Sequence, residues 1–404
     1  MNSDPDQQHP FLSYGFRPFF LFAGLYGTIA ILTWLGWLLL HDIDGGMALP
    51  AFAGPPHLWH GHEMIFGYAT AVLSGFILTA VPSWTGARRI AGTPLFILAT
   101  VWLAGRLAMW FSVFLPPLLV ALIDLAHLPL LAAFIAGGLL VRPAPRNLVF
   151  LLFLLLLTLA NGAFHAEWAG FTEATASRGL EGALLLLSLM LAIIGGRIVP
   201  AFTRNALNRG DADQSSLPRS FNWLDRAAIL STAALAVLTV AEAGEPALGG
   251  VAAIAAIANL SRLSFWRWRA TLASPILWSL HLSYGFLGLA FGALAVAHFT
   301  GWIGVTSAMH LLAIGAIGGM TLAVMTRASL GHTGRPLVTA RPIGVAYAMV
   351  AAAAIVRSLG VEIFPAHYMA VLAAAALLWI GAFAIFSGIY LPILTGPAQR
   401  LRTA

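Results

Sequence analysis

Apolar runs, each about as long as a bilayer is thick, follow one another along nearly the whole chain. A hydrocarbon core takes roughly 20 apolar residues per helix. Twelve segments meet that length: 17–41, 58–82, 94–115, 117–141, 147–167, 180–201, 223–242, 246–262, 272–299, 302–326, 342–360 and 367–393. The eighth is short and alanine-rich. Polar positions gather in brief linkers between the runs. The pattern predicts an all-α polytopic membrane protein with one integral domain over 1–404: a tail at 1–16, twelve spans within 17–393, and a tail at 394–404. No cleavage signal separates residues 1–16 from the first run, so the first span is expected to act as the insertion signal.

Charge then orients the spans. Only 9% of the 404 residues are charged and 60% are hydrophobic, whereas a soluble domain carries about a quarter charged residues. The basic residues are all arginine. Arg17, Arg88, Arg89, Arg142, Arg146, Arg197, Arg204, Arg209, Arg219, Arg226, Arg262, Arg267, Arg269, Arg327, Arg335, Arg341, Arg400 and Arg402 fall at one set of alternate span ends. The opposite ends carry Asp42, Asp44, Glu167, Glu173, Glu242, Glu245 and Glu362, with only Arg178 and Arg357. The positive-inside rule therefore predicts both termini in the cytoplasm, which agrees with an even number of spans. The net charge of +6 follows from this topology and does not point to nucleic acid. The chain has no cysteine, which excludes disulfides, thiolate metal sites and iron–sulfur clusters.

Two charges fall inside the bilayer. Arg106 lies about ten residues before the turn at Pro116 and Pro117, and Asp124 about eight after it. At about 1.5 Å rise per residue the two reach similar depth in an antiparallel hairpin. A buried Arg106–Asp124 pair is expected, as a clamp between spans 3 and 4 or as part of a proton relay. A repeat also shows at span ends. GGRIVPAFTRNAL (Gly195 to Leu207) and GGMTLAVMTRASL (Gly318 to Leu330) share the frame GG, six residues, TR, two residues, Leu. PSWTG (Pro82 to Gly86) repeats part of it. Thr85, Thr203 and Thr326 then mark corresponding positions, which suggests three groups of four helices about a pseudo-threefold axis.

The densest candidate chemistry is PHLWHGHEM, Pro56 to Met64, at the start of span 2. Helical spacing puts His57, His60 and Met64 on one face and turns His62 elsewhere, one turn from Phe66. Histidine at the mouth of a membrane helix is wetted, paired or metal-bound; an interfacial anchor beside Trp59 is the plainer alternative. His165 lies near the same surface. His310 sits in an uninterrupted apolar helix, SAMHLLAIGAIGGM, as an axial ligand or a histidine bonded to a neighbouring helix. His281, Tyr284, Gly285, Gly288 and Gly292 share one face of span 9, which either leaves room for a flat macrocycle or permits close helix packing. The loop RASLGHTGRP (Arg327 to Pro336) sets His332 among glycines and arginines, a combination suited to anions such as haem propionates.

Four blocks together are similar to the NnrS family of bacterial membrane proteins. They are WHGHEMIFGYATAVLSGFILTAVPSWTG, GGRIVPAFTRNAL, LHLSYGF (Leu280 to Phe286) and HLLAIGAIGGMTLAVMTRASLGHTGRPL (His310 to Leu337). The stretch from Asp211 to Thr271 carries little of the likeness. The resemblance implies a haem- and copper-containing protein of the bacterial inner membrane, tied to nitric oxide metabolism and nitrosative stress. The haem is expected to be b-type. Carried onto this chain, it marks His60, His62, His281, His310 and His332 with Arg197, Arg204, Arg327 and Arg335 as cofactor-binding candidates. Haem iron accepts imidazole, and copper accepts imidazole and thioether, so His60, His62, His165, His281 and His310 are the candidate metal ligands. His60 or His62 with His310 is the expected pair for an outer-side haem.

Twelve spans in a threefold frame also resemble the catalytic subunit of haem–copper oxidases and nitric oxide reductases. Those enzymes place copper-binding histidines in spans 6 and 7 and two histidines in span 10. Here spans 6 and 7 have none and span 10 has one, so a conventional oxidase is not expected. The expected partners are nitric oxide or a related small molecule, the lipid bilayer, and a quinol or small redox carrier as electron source. Three functions remain open on this sequence: a nitric oxide-binding haem protein, a nitric oxide or S-nitrosothiol reductase, and a transporter of haem, copper or an anion.

Overall fold

The computed structural model describes residues 9–44, 53–141, 145–208 and 216–399. Arg142, Arg209, Asp211, Arg400 and Arg402 lie outside the described residues. Among those described there is no strand, and twelve helices are long and apolar enough to cross a membrane. They are α1 (Phe16–Leu40), α2 (Pro56–Thr85), α3 (Thr93–Trp110), α4 (Pro117–Leu140), α5 (Asn147–Trp168), α6 (Thr175–Leu207), α7 (Asn222–Val240), α8 (Glu245–Ser264), α9 (Pro275–Thr300), α10 (Val305–His332), α11 (Arg341–Ile363) and α12 (Pro365–Thr395). The twelve expected segments correspond one to one with these.

The helix ends follow from local chemistry. Proline stands in the first turn of α2, α3, α4, α8, α9 and α11, where its missing N–H leaves no bond unmade. Gly86 and Gly301 close α2 and α9 in the left-handed conformation, at φ of 70° and 69°, each returning its N–H to a carbonyl one turn back. α6 runs well past the expected segment 180–201 at both ends. Its extension carries PAFTRNAL, with Pro200 inside the helix.

Four helices are not uniformly wound. α2 widens to a π-helix over Glu63–Ala69, α10 over Leu311–Gly318 and α11 over Val356–Gly360. α4 is interrupted at Ala126, between Pro117–Leu125 and His127–Val141. Sequence periodicity assumes 3.6 residues per turn throughout, so none of these is anticipated by it.

Contacts divide the chain into two compact units. The first comprises 1–183, 327–336 and 386–404, and the second 184–326 and 337–385. In the first, α1 packs along α2, α3 along α4, and α5 along α4. In the second, α8 packs against both α7 and α9, and α9 lies along the π-wound part of α10. Large apolar side chains such as Leu122, Leu230, Ile257 and Leu377 are exposed, far beyond what a water-soluble surface carries; lipid is the solvent that accepts them.

The threonines of the sequence repeat are alike in structure. Thr85 and Thr203 donate their hydroxyls to carbonyls one turn back, at 2.8 and 2.9 Å, and Thr326 donates to Ala323 O at 2.9 Å. All three are buried. Thr203 then accepts from His281 Nε2 at 2.8 Å, and Thr326 from Tyr347 at 2.5 Å. The glycine pairs of the repeat mark close approach. At Gly318 and Gly319 an added Cβ would meet Trp379 and Ser283 at 2.5 Å.

Candidate metal centre

The start of α2 organises the first unit. The π-wound turn begins directly after His62, so His62 and Glu63 both point into the helix bundle, and neither has any exposed surface. α1 brings Tyr26 to them, α3 brings Arg106 and Trp110, α4 brings Asp124, and α5 brings Asn161 and His165. The approach depends on two glycines. A Cβ on Gly67 would lie 2.5 Å from the Tyr26 ring and 3.1 Å from Arg106, and one on Gly105 would lie 3.3 Å from the backbone of Asp124. Trp102 donates its indole N–H to Gly67 O at 3.1 Å, satisfying a carbonyl inside the widened turn.

Arg106 bridges two carboxylates, through Nη1 to Glu63 Oε1 at 2.6 Å and through Nη2 to Asp124 Oδ1. The Arg106–Asp124 pair expected from depth is therefore present, and Glu63 joins it. Asp124 Oδ2 faces three further groups: His165 Nε2 at 2.9 Å, Asn161 Nδ2 at 2.8 Å and His62 Nε2 at 3.2 Å. Asn161 Oδ1 lies 2.9 Å from His62 Nε2, and Glu63 Oε1 lies 2.8 Å from His62 Nδ1. Behind Glu63, Tyr26 donates its hydroxyl to Oε2, and Trp110 Nε1 donates to the Tyr26 oxygen at 2.7 Å.

The bonding of His62 is informative. Its two ring nitrogens face only acceptors: Glu63 on one side, Asp124 and the Asn161 carbonyl on the other. A neutral imidazole has one N–H. With Glu63 ionised, His62 is therefore either doubly protonated or directs a bare Nε2 lone pair at a cation. The charge count agrees. With both carboxylates ionised and both imidazoles neutral, Arg106 offsets one of two negative charges and leaves one over. Uncompensated charge in a bilayer interior is expensive, so a proton or a metal ion completes the centre.

The donor geometry fits the metal. One atom from each of His62, Asp124 and His165 lies within 4.8 Å of the others, and all three residues are buried. Among the described residues this is the one group of at least three His, Asp or Glu side chains that converge so closely. Glu63 holds the outer nitrogen of His62, the carboxylate–histidine arrangement that usually fixes a ligand's tautomer. Two imidazoles and a carboxylate are a donor set suited to a divalent transition metal with open positions.

The same geometry does not fit a haem. A porphyrin occupies four equatorial positions and leaves two axial ones on opposite sides. Here the donor atoms of His62, Asp124 and His165 lie within 4.8 Å of one another, and Phe66 and Phe164 pack on the His62 ring at 5.1 and 4.5 Å, so no plane is open between them for a macrocycle.

The other sequence candidates lie elsewhere. His60, two residues before His62, stacks on Trp34 at 4.8 Å. His57 is exposed. Met64 is half-buried in the π-wound turn, where the spacing that aligned it with His60 no longer holds. In the second unit, His310 is half-buried with Nδ1 2.7 Å from Thr306 O. His281 is held by Thr203, and its Nδ1 is buried without a partner. The glycine face beside it is filled: Leu260 would meet a Cβ on Gly288 at 2.6 Å and Leu263 one on Gly285 at 3.4 Å. Close packing, not a flat macrocycle, takes that space. Arg197 and Arg204 are exposed, and Arg204 donates to Pro218 O at 2.5 Å. His332, Arg327 and Arg335 belong to the first unit; Arg327 and His332 lie in the last turns of α10, which runs further than the expected span, and Arg335 in the loop after it. His332 is exposed and lies against Tyr14 and Phe16.

Sequence reasoning missed Glu63, Tyr26 and Asn161. Asn161 had a signal: it precedes His165 by four residues in an otherwise apolar helix, which puts both on one face.

A family model described as NnrS protein matches residues 10–398, nearly the whole chain. Comparison with curated proteins finds no match.

Proposed function

The chain belongs to the NnrS family, and on that premise we propose that it is a multi-pass membrane protein of nitric oxide metabolism in which His62, Asp124 and His165 hold one bare transition-metal ion that binds nitric oxide. The observation that carries this reading is the pair of acceptor groups on the two nitrogens of His62, at the point where His165 and Asp124 converge. Iron(II) and copper(II) both accept such a donor set. Copper(I) prefers sulfur, which this cluster lacks. Such an ion supplies an open coordination position for a small uncharged ligand. Nitric oxide dissolves in apolar helices, so a centre buried among spans is accessible to it where an ionic substrate is not.

The chain's own residues set the conditions there. Arg106 and Asp124 fix the carboxylate oxygen between the two imidazoles. Asn161 orients Asp124 through Nδ2 and presents its own oxygen to His62. Haem, where the chain carries it, falls to histidines outside this centre: His60, His310 or His332. A second reading, reductive turnover, draws on Tyr26 and Glu63. Their hydrogen bonds reach the outer nitrogen of His62 and form a path for protons to the centre.

Metal content and optical spectra of detergent-purified protein test the proposal, in the parent and in His62→Ala, His165→Ala and the exposed His57→Ala. The expected result is one equivalent of iron or copper per chain in the parent and His57→Ala, lost in the other two. A spectral change on adding nitric oxide is expected to disappear with the metal. A Soret band that survives His62→Ala and His165→Ala would mark haem at another site. Parent protein without stoichiometric metal, from cells supplied with iron and copper, would overturn the assignment. Consumption of nitric oxide by metal-loaded protein with a reductant would favour the reductase.

A further inference from the structure

The first unit carries a second cluster of charge, at the end where α1 begins and α10 and α12 finish. Arg17, in the first turn of α1, is buried and donates through Nη1 to Leu394 O at 3.1 Å and Gly396 O at 2.6 Å. It caps the C-terminal carbonyls of α12, where a cation is favoured. That cap accounts for Arg17 alone. A second guanidinium, that of Arg335, belongs to the same corner: Gln399, three residues after the Gly396 that Arg17 caps, bonds Thr333, two residues before Arg335. Its Nη1 is buried without a hydrogen-bond partner. A third, Arg89, lies over the Tyr14 ring at 4.3 Å and is the charged neighbour of His332. His332 in turn packs on Tyr14 and Phe16, with ring centroids 5.4 and 5.7 Å away.

The loop that brings these groups together is fixed. Gln399 N–H donates to Thr333 O at 2.8 Å, and Gly334 has φ of 70° with Gln399 O where a Cβ would lie, at 2.3 Å. Among the described residues of this unit, no carboxylate offsets the cluster. The acidic side chains described in this unit are Glu63 and Asp124 in the buried centre and Glu167, Glu173 and Glu181 toward the other membrane face. Arginines that only set topology are solvated and self-avoiding. Here like charges are drawn together around a buried donor with no acceptor, which costs free energy unless an anion completes the site.

We propose that Arg335, Arg89 and Arg17, with His332, form an oxyanion site that takes a phosphate group at this membrane face. Guanidinium forks match phosphate oxygens, and three of them supply more donors than a planar carboxylate can use. Two sources share the chemistry: the headgroup of an anionic phospholipid, as in basic pockets between membrane helices, and free phosphate.

Thermal unfolding of the full-length protein in mixed micelles separates them. Phosphatidylglycerol, phosphatidylcholine and inorganic phosphate are each added at matched ionic strength to the parent, Arg335→Gln, Arg335→Lys and Arg89→Gln. The expected result is a rise in Tm with phosphatidylglycerol for the parent, and an apparent affinity at least about tenfold weaker in both glutamine variants. Arg335→Lys keeps the charge and loses the fork, so it falls between. An equal rise with inorganic phosphate would assign the site to the free ion. A parent that responds to neither phosphate source more than to phosphatidylcholine would overturn the proposal, as would glutamine variants that respond like the parent. If Arg335→Gln does not fold, Arg89→Gln carries the test. Metal content at the His62 centre is expected to be unchanged in all three variants, so this site and the metal assignment fail separately.

Discussion

Replacing Asp124 with asparagine removes one charge and almost no volume, which makes it a clean probe of the buried centre. In the parent one oxygen of Asp124 takes Arg106, and the other faces His165, Asn161 and His62. An amide supplies one acceptor and turns an NH2 toward the remaining donors, while Arg106 keeps only Glu63. Breaking a buried ion pair by removing one partner costs ~3–5 kcal/mol. That is a fall of about two to three and a half powers of ten in the folded ratio. Asp225→Asn in the second unit is the control. Asp225 pairs with Arg262 at 2.8 Å but is 29% exposed, and Arg262 keeps bonds to Ala192 O and Tyr284. Water screens that pair, so its cost is expected to be well below half as large. Equilibrium unfolding in mixed micelles, followed by tryptophan fluorescence, measures both. The metal is expected to be lost from Asp124→Asn and retained in Asp225→Asn. Equal stabilities for the two variants, or an Asp124→Asn protein within about 1 kcal/mol of the parent, would refute the reasoning from burial.

Four further substitutions probe other contacts by the same unfolding measurement. Tyr26→Phe takes a donor from Glu63 and an acceptor from Trp110 Nε1, and is expected to cost about 1–3 kcal/mol. Gly196→Ala places a Cβ 1.8 Å from Arg262 Nη2, so the guanidinium must leave its site, at a cost of about 1–3 kcal/mol or more. Gly36→Ala in α1, with nothing within 4 Å, is expected instead to stabilise by roughly 0.5–1 kcal/mol. Thr203→Val strips His281 Nε2 of its partner and is expected to cost about 1–3 kcal/mol. Adding His281→Phe to that variant should return part of the loss, which the double-mutant cycle reads directly.

What could be read from sequence was set by forces that act over a whole helix. Hydropathy placed all twelve spans because each apolar run has the bilayer as its common solvent. The meeting of Arg106 and Asp124 followed from the rise per residue alone, since a tight hairpin leaves little freedom. The rest of the centre depends on rotation about helix axes, which periodicity gives only when the winding is regular. The π-wound turn of α2 starts at Glu63, between the histidines and the residues used to assign their faces. His62 therefore points into the bundle, and His60 turns outward to Trp34. Likewise, nothing in the spacing of α1 marks Tyr26, because its role exists only where Glu63 has been turned to meet it.

The notch at Gly196 bears on how the protein is made. Its occupant, Arg262, comes from α8, a span of low hydropathy that carries the fully buried Asn259 as well. α6 enters the membrane first, with the place for that guanidinium still open to lipid. α8 has little reason to stay in the bilayer until Asp225 of α7 and Tyr284 of α9 receive its polar side chains. Insertion of α7, α8 and α9 is thus a joint event, and closure of the second unit on α6 waits for it. A chain that ends before α9 lacks the Tyr284 hydroxyl that bonds both Arg262 and Asn259, and so turns those polar groups toward lipid.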